Sequence, residues 1–72
     1  MAQLTHQQYD QLERAVLDGT RVSIYRRGTE YIVVPLRIGL RGRDEIIEAR
    51  NPTTGDAITL KLAEIDSIDF VR

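Results

Sequence analysis

The amino-acid sequence predicts a mainly β fold with one α-helix at its N-terminus, and three observations support this. Apolar residues recur at steps of three and four over residues 5–18, which is typical of an amphipathic helix. From residue 20 onward apolar residues alternate with polar ones, which indicates half-buried strands. Three turns with glycine or proline and one short 3₁₀ turn divide this second part into five short, closely spaced segments. We therefore expect a small five-stranded antiparallel barrel of the SH3-like or Sm-like kind.

The predicted helix covers about residues 5–18, and both of its ends are marked. Thr5 is the expected N-cap, and Gln8 three residues later completes a capping box. Leu4 and Tyr9 have the spacing of a hydrophobic staple, and Gly19 suits a left-handed C-terminal cap. The apolar stripe consists of Tyr9, Leu12, Ala15 and Val16.

The first two strands are predicted from alternation and from a single proline. Val22 and Ile24 alternate with polar neighbours in the first strand. The second and longest strand, residues 30–38, is apolar on both faces from 31 to 36, so we expect both faces to be covered. Pro35 lacks an N–H group and should mark a bulge or an edge, since a small barrel needs a strongly bent second strand to close. Residues 39–43 are predicted to form a loop.

Three further strands complete the predicted barrel. They are expected at residues 44–50, 57–62 and 67–71. Residues 51–55 form a turn, because proline and glycine at its second and fifth positions suit the backbone angles of a turn. Residues 63–65 are too few for an α-helix and are interpreted as one 3₁₀ turn. Ile68 and Phe70 should point into the core.

Length and composition place the chain among small globular domains. Its 72 residues are expected to make one domain, 1–72, with the barrel at about 20–72. Cysteine is absent and His6 is the single histidine, which excludes disulfides, thiolate metal sites and a histidine-based zinc site within one chain. No apolar run approaches the ~20 residues that span a membrane, and the first five residues do not resemble a signal peptide. We expect a cytoplasmic protein without membrane contacts.

No motif in the sequence indicates catalysis. The glycines mark turns and do not form a phosphate-binding loop, and His6 is remote in sequence from any serine at a strand end. The neighbouring carboxylates Asp44 and Glu45 should point to opposite faces of a strand and so not share a proton. Asp66 and Asp69 are likewise interpreted as solvated charges. The sequence therefore predicts no enzyme activity, no catalytic residue, no cofactor and no metal site.

Charge is distributed unevenly along the chain, although the net charge is only −1. Residues 21–50 carry seven arginines against four acidic residues, whereas the segments on either side each have a balance of −2. The expected hairpin tips carry Arg26, Arg27, Arg41 and Arg43, which a barrel could gather at one end. Either these side chains bind RNA phosphates or an acidic protein, or they are soluble loop residues paired with Glu30 and Asp44.

Apolar side chains exceed what one small core needs. The residues in excess are Tyr25, Tyr31, Val33, Leu40 and Val71. Either the helix covers them, or they form a surface through which the chain self-associates or binds a partner.

Several short motifs resemble segments of known Sm-like proteins. They are Tyr9-Asp10-x-Leu12-Glu13-x-Ala15 in the helix, Glu30-Tyr31-Ile32-Val33-Val34 in the longest strand, and Leu60-x-Leu62-x-x-Ile65-x-Ser67-Ile68 near the C-terminus. With the order of the elements, these resemble the Rof (YaeO) family, small inhibitors of the transcription termination factor Rho. Rof proteins are markedly acidic, whereas the middle of this chain is basic. A weaker similarity, in Val34-Pro35-Leu36 and Leu62-x-x-Ile65-x-x-Ile68, is to the WYL domain, whose signature tripeptide is missing here.

The resemblance to Rof implies a noncatalytic binding module that regulates transcription termination, or another RNA-linked process, through protein contacts. The acidic helix face, with Asp10 and Glu13, would then occupy an RNA-binding surface on a partner such as Rho. Two alternatives stay open. The chain could bind RNA directly through the arginines of the hairpin tips, or it could be a structural domain that self-associates as a homo-oligomer.

Overall fold

The computed structural model describes residues 4–70, which form one α-helix, five β-strands and one short 3₁₀ helix. In chain order these are α1 (His6–Asp18), β1 (Val22–Arg26), β2 (Thr29–Arg41), β3 (Asp44–Arg50), β4 (Ala57–Lys61), the 3₁₀ helix (Leu62–Glu64) and β5 (Ile65–Phe70). Val71, which the sequence places in the last strand and in the apolar excess, lies outside the described residues.

The helix α1 begins and ends where its local signals predict. The Thr5 hydroxyl accepts a hydrogen bond from the Gln8 backbone N–H at 3.1 Å, and the Gln8 side chain accepts one from the Thr5 N–H at 2.9 Å. At the other end Gly19 adopts a left-handed φ of 69° and donates its N–H to the Ala15 carbonyl. Both predicted caps are confirmed, and Leu12 and Ala15 of the predicted stripe are buried.

The strands form an antiparallel sheet in the order β4-β3-β2-β1-β5, which confirms the predicted mainly β fold. The edges of the sheet are β4 and β5. Among residues 4–70 no ladder joins these two edges, so the barrel is open along that seam. The 3₁₀ helix connects the two edges, because it follows β4 directly and ends where β5 begins.

The long strand β2 belongs to two ladders and is irregular between them. Its first part, up to Val33, pairs with β1, and its second part, from Val34 onward, pairs with β3. The register shifts between Pro35 and Arg37, so the predicted bulge is confirmed at the proline. Leu36 is the extra residue of this bulge, because it has no partner on β3.

The predicted loop over residues 39–43 is wrong, because most of it continues β2. Gly39, Leu40 and Arg41 pair with residues of β3, and only two residues turn the chain. The first of these, Gly42, has a φ of 63°, which a glycine adopts without steric cost. Hydrogen bonding to β3 therefore outweighs the turn propensity of residues 39–41.

The core lies between the inner face of the sheet and α1. Its buried members are Leu4, Leu12, Ala15, Val22, Ile24, Val33, Ile47, Ala49, Leu60, Leu62, Ile65 and Ile68, with Tyr9, Tyr31, Ile38, Ile58 and Phe70 packed against them. The predicted inward positions of Ile68 and Phe70 agree with this. The expectation that β2 is covered on both faces from 31 to 36 is wrong, because Ile32 and Leu36 are each 48% exposed.

The connection from β3 to β4 is held by one asparagine. The Asn51 side-chain oxygen accepts hydrogen bonds from the N–H groups of Thr53 and Thr54 at 2.8 and 3.1 Å, and Gly55 takes a φ of 79°. The turn predicted here is confirmed. The 3₁₀ helix is also confirmed, one residue earlier than the sequence indicates.

Replacing the N-cap tests the capping box. Thr5→Ala should lower the free energy of unfolding by roughly 0.5–2 kcal/mol, because the Gln8 N–H loses its acceptor. Urea denaturation followed by circular dichroism measures this change. Thr5→Ser retains the hydroxyl and should stay close to the parent protein, whereas equal midpoints for Thr5→Ala and the parent would contradict the cap's contribution.

Candidate protein-binding surface

A groove runs between α1 and the second half of β2. It encloses about 430 Å³, and its lining residues are Tyr9, Glu13, Val16, Leu17, Arg37 and Ile38. Leu17 stands at the helical surface with 85% of its area exposed. Val16 and Ile38 are partly buried, so the groove combines an apolar floor with an apolar side chain open to solvent. We refer to this feature as the helix groove.

The helix groove is lined by one acidic and one basic side chain, and a second acidic side chain lies beside it. Glu13 lines the groove and Asp10 lies three residues earlier on the same side of α1, and both are exposed. Arg37 is the lining cation, and its guanidinium binds both oxygens of Glu48, at 2.7 and 3.1 Å. This bidentate bond lowers the pKa of Glu48 and raises that of Arg37. Among residues 4–70 neither Asp10 nor Glu13 forms an ion pair, and the nearest cation along the helix is Arg14, one turn beyond Asp10.

One long-range hydrogen bond ties the helix to the sheet at the groove. The Tyr9 hydroxyl donates to a carboxylate oxygen of Glu45, which lies near the start of β3, 36 residues along the chain. This bond is the first cause of a raised pKa of Tyr9, followed by burial and by the negative charge of Glu45. Sequence reasoning missed the role of Glu45, because no local pattern links residues so far apart.

The first pair of predicted phosphate-binding arginines, at the β1–β2 tip, is engaged within the protein. The Arg26 guanidinium lies 4.8 Å from the centre of the Tyr31 ring and donates to the Tyr31 hydroxyl at 3.0 Å. Arg27 binds Glu64 of the 3₁₀ helix at 3.1 Å. Arg27 also has a φ of 50°, which makes it the first of two left-handed residues in this turn, followed by Gly28.

The second predicted pair, Arg41 and Arg43, lies at the other end of β2 beside the β2–β3 turn. Arg43 and Lys61 help to line a cleft of about 190 Å³ next to the start of the 3₁₀ helix. Both hairpin tips therefore lie beside the same three-residue 3₁₀ helix, since Arg43 lines a cleft with Leu62 and Ala63 and Arg27 contacts Glu64.

The expected partners of these arginines are corrected by the structure. Asp44 pairs with Lys61 at 3.5 Å. Glu30 accepts hydrogen bonds from two hydroxyl groups and forms no ion pair with an arginine among residues 4–70. The hydroxyls are those of Ser23 at 2.9 Å and Tyr25 at 3.1 Å, both bonded to the same oxygen of Glu30. The hydrogen bond that Tyr25 donates to Glu30 and the charge of Glu30 raise the pKa of Tyr25, and Asp69 adds a smaller effect of the same sign.

Residues 4–70 contain neither a cluster of metal-ligating side chains nor a membrane-spanning helix. In this range no three histidine, cysteine or acidic side chains are grouped as ligands of one metal ion. The helix in this range is too short and too polar to cross a lipid bilayer.

Comparison with known proteins yields no relative: no protein-family model, no curated protein and no solved structure matches this chain.

The pH dependence of Tyr9 tests the contact between helix and sheet. Ionisation of its phenol should occur above the ordinary value of 10.0, because the phenolate would lie beside the Glu45 carboxylate. The stabilisation from this bond is present below pH 10.0 and is lost as the pH rises through the raised pKa. Ultraviolet absorbance of tyrosinate follows this ionisation.

Two variants test whether the phenol that ionises at raised pH is Tyr9 and whether Glu45 causes the shift. Tyr9→Phe should remove one late-titrating phenol, and Glu45→Gln should shift that phenol to lower pH, because it removes the negative charge. A Glu45→Gln protein with an unchanged titration curve would show that the bond does not form in solution.

Proposed function

We propose that this chain is a noncatalytic binding module that regulates transcription termination, or another RNA-linked process, by contacting a protein. The observation that supports the proposal best is the helix groove, in which exposed apolar area lies beside the carboxylates of Asp10 and Glu13, neither of which forms an ion pair among residues 4–70. Exposed apolar area of this kind is typical of protein-binding sites, and the charge selects which partner fits.

The charge of the groove favours a partner with a basic surface. A protein surface that binds RNA carries lysines and arginines placed to neutralise phosphates. Asp10 and Glu13 lie on a rigid helix and offer two negative charges at a fixed spacing. Leu17, one turn beyond Glu13, supplies an apolar contact that RNA phosphates lack. Binding in this mode blocks the RNA site of the partner by occupying it.

The resemblance to the Rof family makes Rho the first partner to test. The shared helix motif contains both Asp10 and Glu13, so the resemblance and the charge point to the same face of α1. Under the proposal this face covers the RNA-binding surface of Rho, and RNA and this chain compete for it.

The proposal predicts a charge-specific loss of binding to purified Rho. The double variant Asp10→Asn with Glu13→Gln should weaken binding by about tenfold or more, because two charge contacts are lost together. Asp56→Asn with Asp66→Asn changes the net charge equally at exposed positions elsewhere and should bind like the parent. Fluorescence anisotropy of the labelled chain measures both, and single-stranded RNA should displace the chain from Rho.

Two results would overturn the proposal. Equal losses in the two double variants would show that net charge alone drives binding. Salt-sensitive binding of single-stranded RNA to this chain, abolished by Arg41→Ala with Arg43→Ala, would instead support direct RNA recognition.

A further inference from the structure

The second half of β2 has one edge that no strand pairs with. The ladder with β1 stops at Val33, because its partner Val22 is the first residue of β1. The ladder with β3 begins at Val34 and runs along the opposite edge of β2. Among residues 4–70 the β1-side edge of residues 37–40 therefore faces no strand, and we call it the free edge of β2.

The turn between β2 and β3 determines which backbone groups point to the free edge. In a two-residue hairpin the flanking residues, here Arg41 and Asp44, exchange hydrogen bonds with each other. Backbone direction alternates along a strand, so the N–H and C=O groups of Ile38 and Leu40 point away from β3. No hydrogen bond from the helix, from a turn or from a side chain reaches these groups within residues 4–70.

The helix α1 runs beside the free edge, in the direction opposite to β2. Its first turn lies near the end of β2, because Tyr9 bonds to Glu45 and Glu45 is the ladder partner of Leu40. Its last turn leads into β1, whose first residue pairs with Val33 in the middle of β2. The helix groove is the space between this helix and the second half of β2.

The dimensions of the helix groove suit a short extended chain. Along α1 the groove runs from Tyr9 to Leu17, eight residues that rise about 12 Å. An extended segment of four residues spans about 13 Å. The enclosed volume of about 430 Å³ lies within the range of about 300–1,000 Å³ that is usual for ligand pockets.

We propose that an extended segment of the protein partner enters the helix groove and adds to the free edge as a further strand. The inference rests on the proposed function, because it specifies the form in which a basic partner occupies the groove. The main chain of the segment bonds to Ile38 and Leu40, and α1 covers one of its faces. Single-stranded RNA has no alternating amide groups for a strand edge to pair with, so the free edge favours a polypeptide.

The groove also selects the side chains of the segment. Alternate side chains of a strand lie on one face, about 6.8 Å apart. Glu13 and Leu17 are one helical turn apart, which is about 6 Å along α1. A lysine or arginine two residues away from an aliphatic residue therefore pairs with Glu13 while the aliphatic side chain contacts Leu17 and Val16.

A capped synthetic heptapeptide, Thr-Thr-Val-Thr-Lys-Thr-Thr, tests strand addition to the full chain. Nuclear magnetic resonance measures how fast each amide proton exchanges with water as the peptide is added up to about 2 mM. Exchange at Ile38 and Leu40 should slow by about threefold or more, since a dissociation constant of about 1 mM protects to that extent. Gly39 is the internal control, because its N–H points to β3 and should change little.

Methylated peptides separate strand addition from side-chain contacts. One peptide carries N-methyl groups on the valine and the lysine, and the other carries them on the two threonines that follow these residues. One of the two should lose about tenfold in affinity and the other should bind like the parent peptide, because only alternate N–H groups of an added strand face β2. Equal affinities for the two methylated peptides overturn the proposal.

A proline on the free edge tests the same bonds from the side of the protein. Leu40→Pro removes an N–H that the β3 ladder does not use, so the variant should remain folded by circular dichroism and bind the peptide about tenfold more weakly. Leu40→Ala keeps the N–H and is the matched control, which should bind like the parent. A Leu40→Pro chain that unfolds would show that this N–H serves the fold, which contradicts the free edge.

The remaining outcomes distinguish this inference from the proposed function. Peptide binding that Glu13→Gln weakens, with unchanged exchange at Ile38 and Leu40, overturns strand addition and leaves the proposed function standing. Slowed exchange at both amides, in a chain that does not bind Rho, supports the strand site and counts against Rho as the partner. Protection that rises with the concentration of the chain alone would assign the free edge to a second copy, and no protection at about 2 mM peptide overturns the proposal.

Discussion

The structure depends on the irregularity of β2 at Pro35. A sheet of five short strands encloses a core only if it curls, and one strand must then take part in two ladders that face different ways. Up to Val33 this strand bonds to β1, and from Val34 it bonds to β3, with the register shift between Pro35 and Arg37 at the transition. Proline fits there because it has no N–H group for the ladder to lose.

The curl of the sheet determines where the helix packs. Leu4, Leu12 and Ala15 complete a core whose other walls come from the strands. The hydrogen bond from Tyr9 to Glu45 then fixes the first turn of α1 against the start of β3. Because the rest of α1 stands away from β2 at Val16 and Leu17, the helix groove forms between them. The candidate binding surface is thus a consequence of how the helix closes the core.

The ion pairs of this protein contribute little to its stability. The ion pairs Arg27–Glu64, Arg37–Glu48 and Lys61–Asp44 all lie at the surface, where such pairs contribute roughly 0–1 kcal/mol each. Two of them engage arginines of the basic middle of the chain, Arg27 and Arg37, within the protein. Asp10 and Glu13 of α1 form no ion pair among the described residues, and this charge is the one that the proposed contact with a basic partner would use.

The sequence by itself determined the features that rest on neighbouring residues. The caps of α1 depend on Thr5, Gln8 and Gly19, each within a few positions of its bonding partner. The Asn51 turn and the bulge at Pro35 likewise follow from the chemistry of single residues, so the helix and the five strands were predictable in kind and in order. The exposed acidic face of α1 was predictable too, because helical periodicity alone separates Asp10 and Glu13 from the apolar stripe.

Only the tertiary structure decided the features that join distant parts of the chain. The partners of Tyr9, Arg27 and Asp44 are set by how far the sheet curls, and no local pattern encodes that curl. Pairing with β3 extended β2 through residues whose local propensity indicates a loop, since ladder hydrogen bonds outweigh a weak turn preference. Whether an apolar position on β2 is covered depends on where α1 packs. The helix reaches one face of the sheet, and for this reason Val33 is buried while Ile32 is 48% exposed.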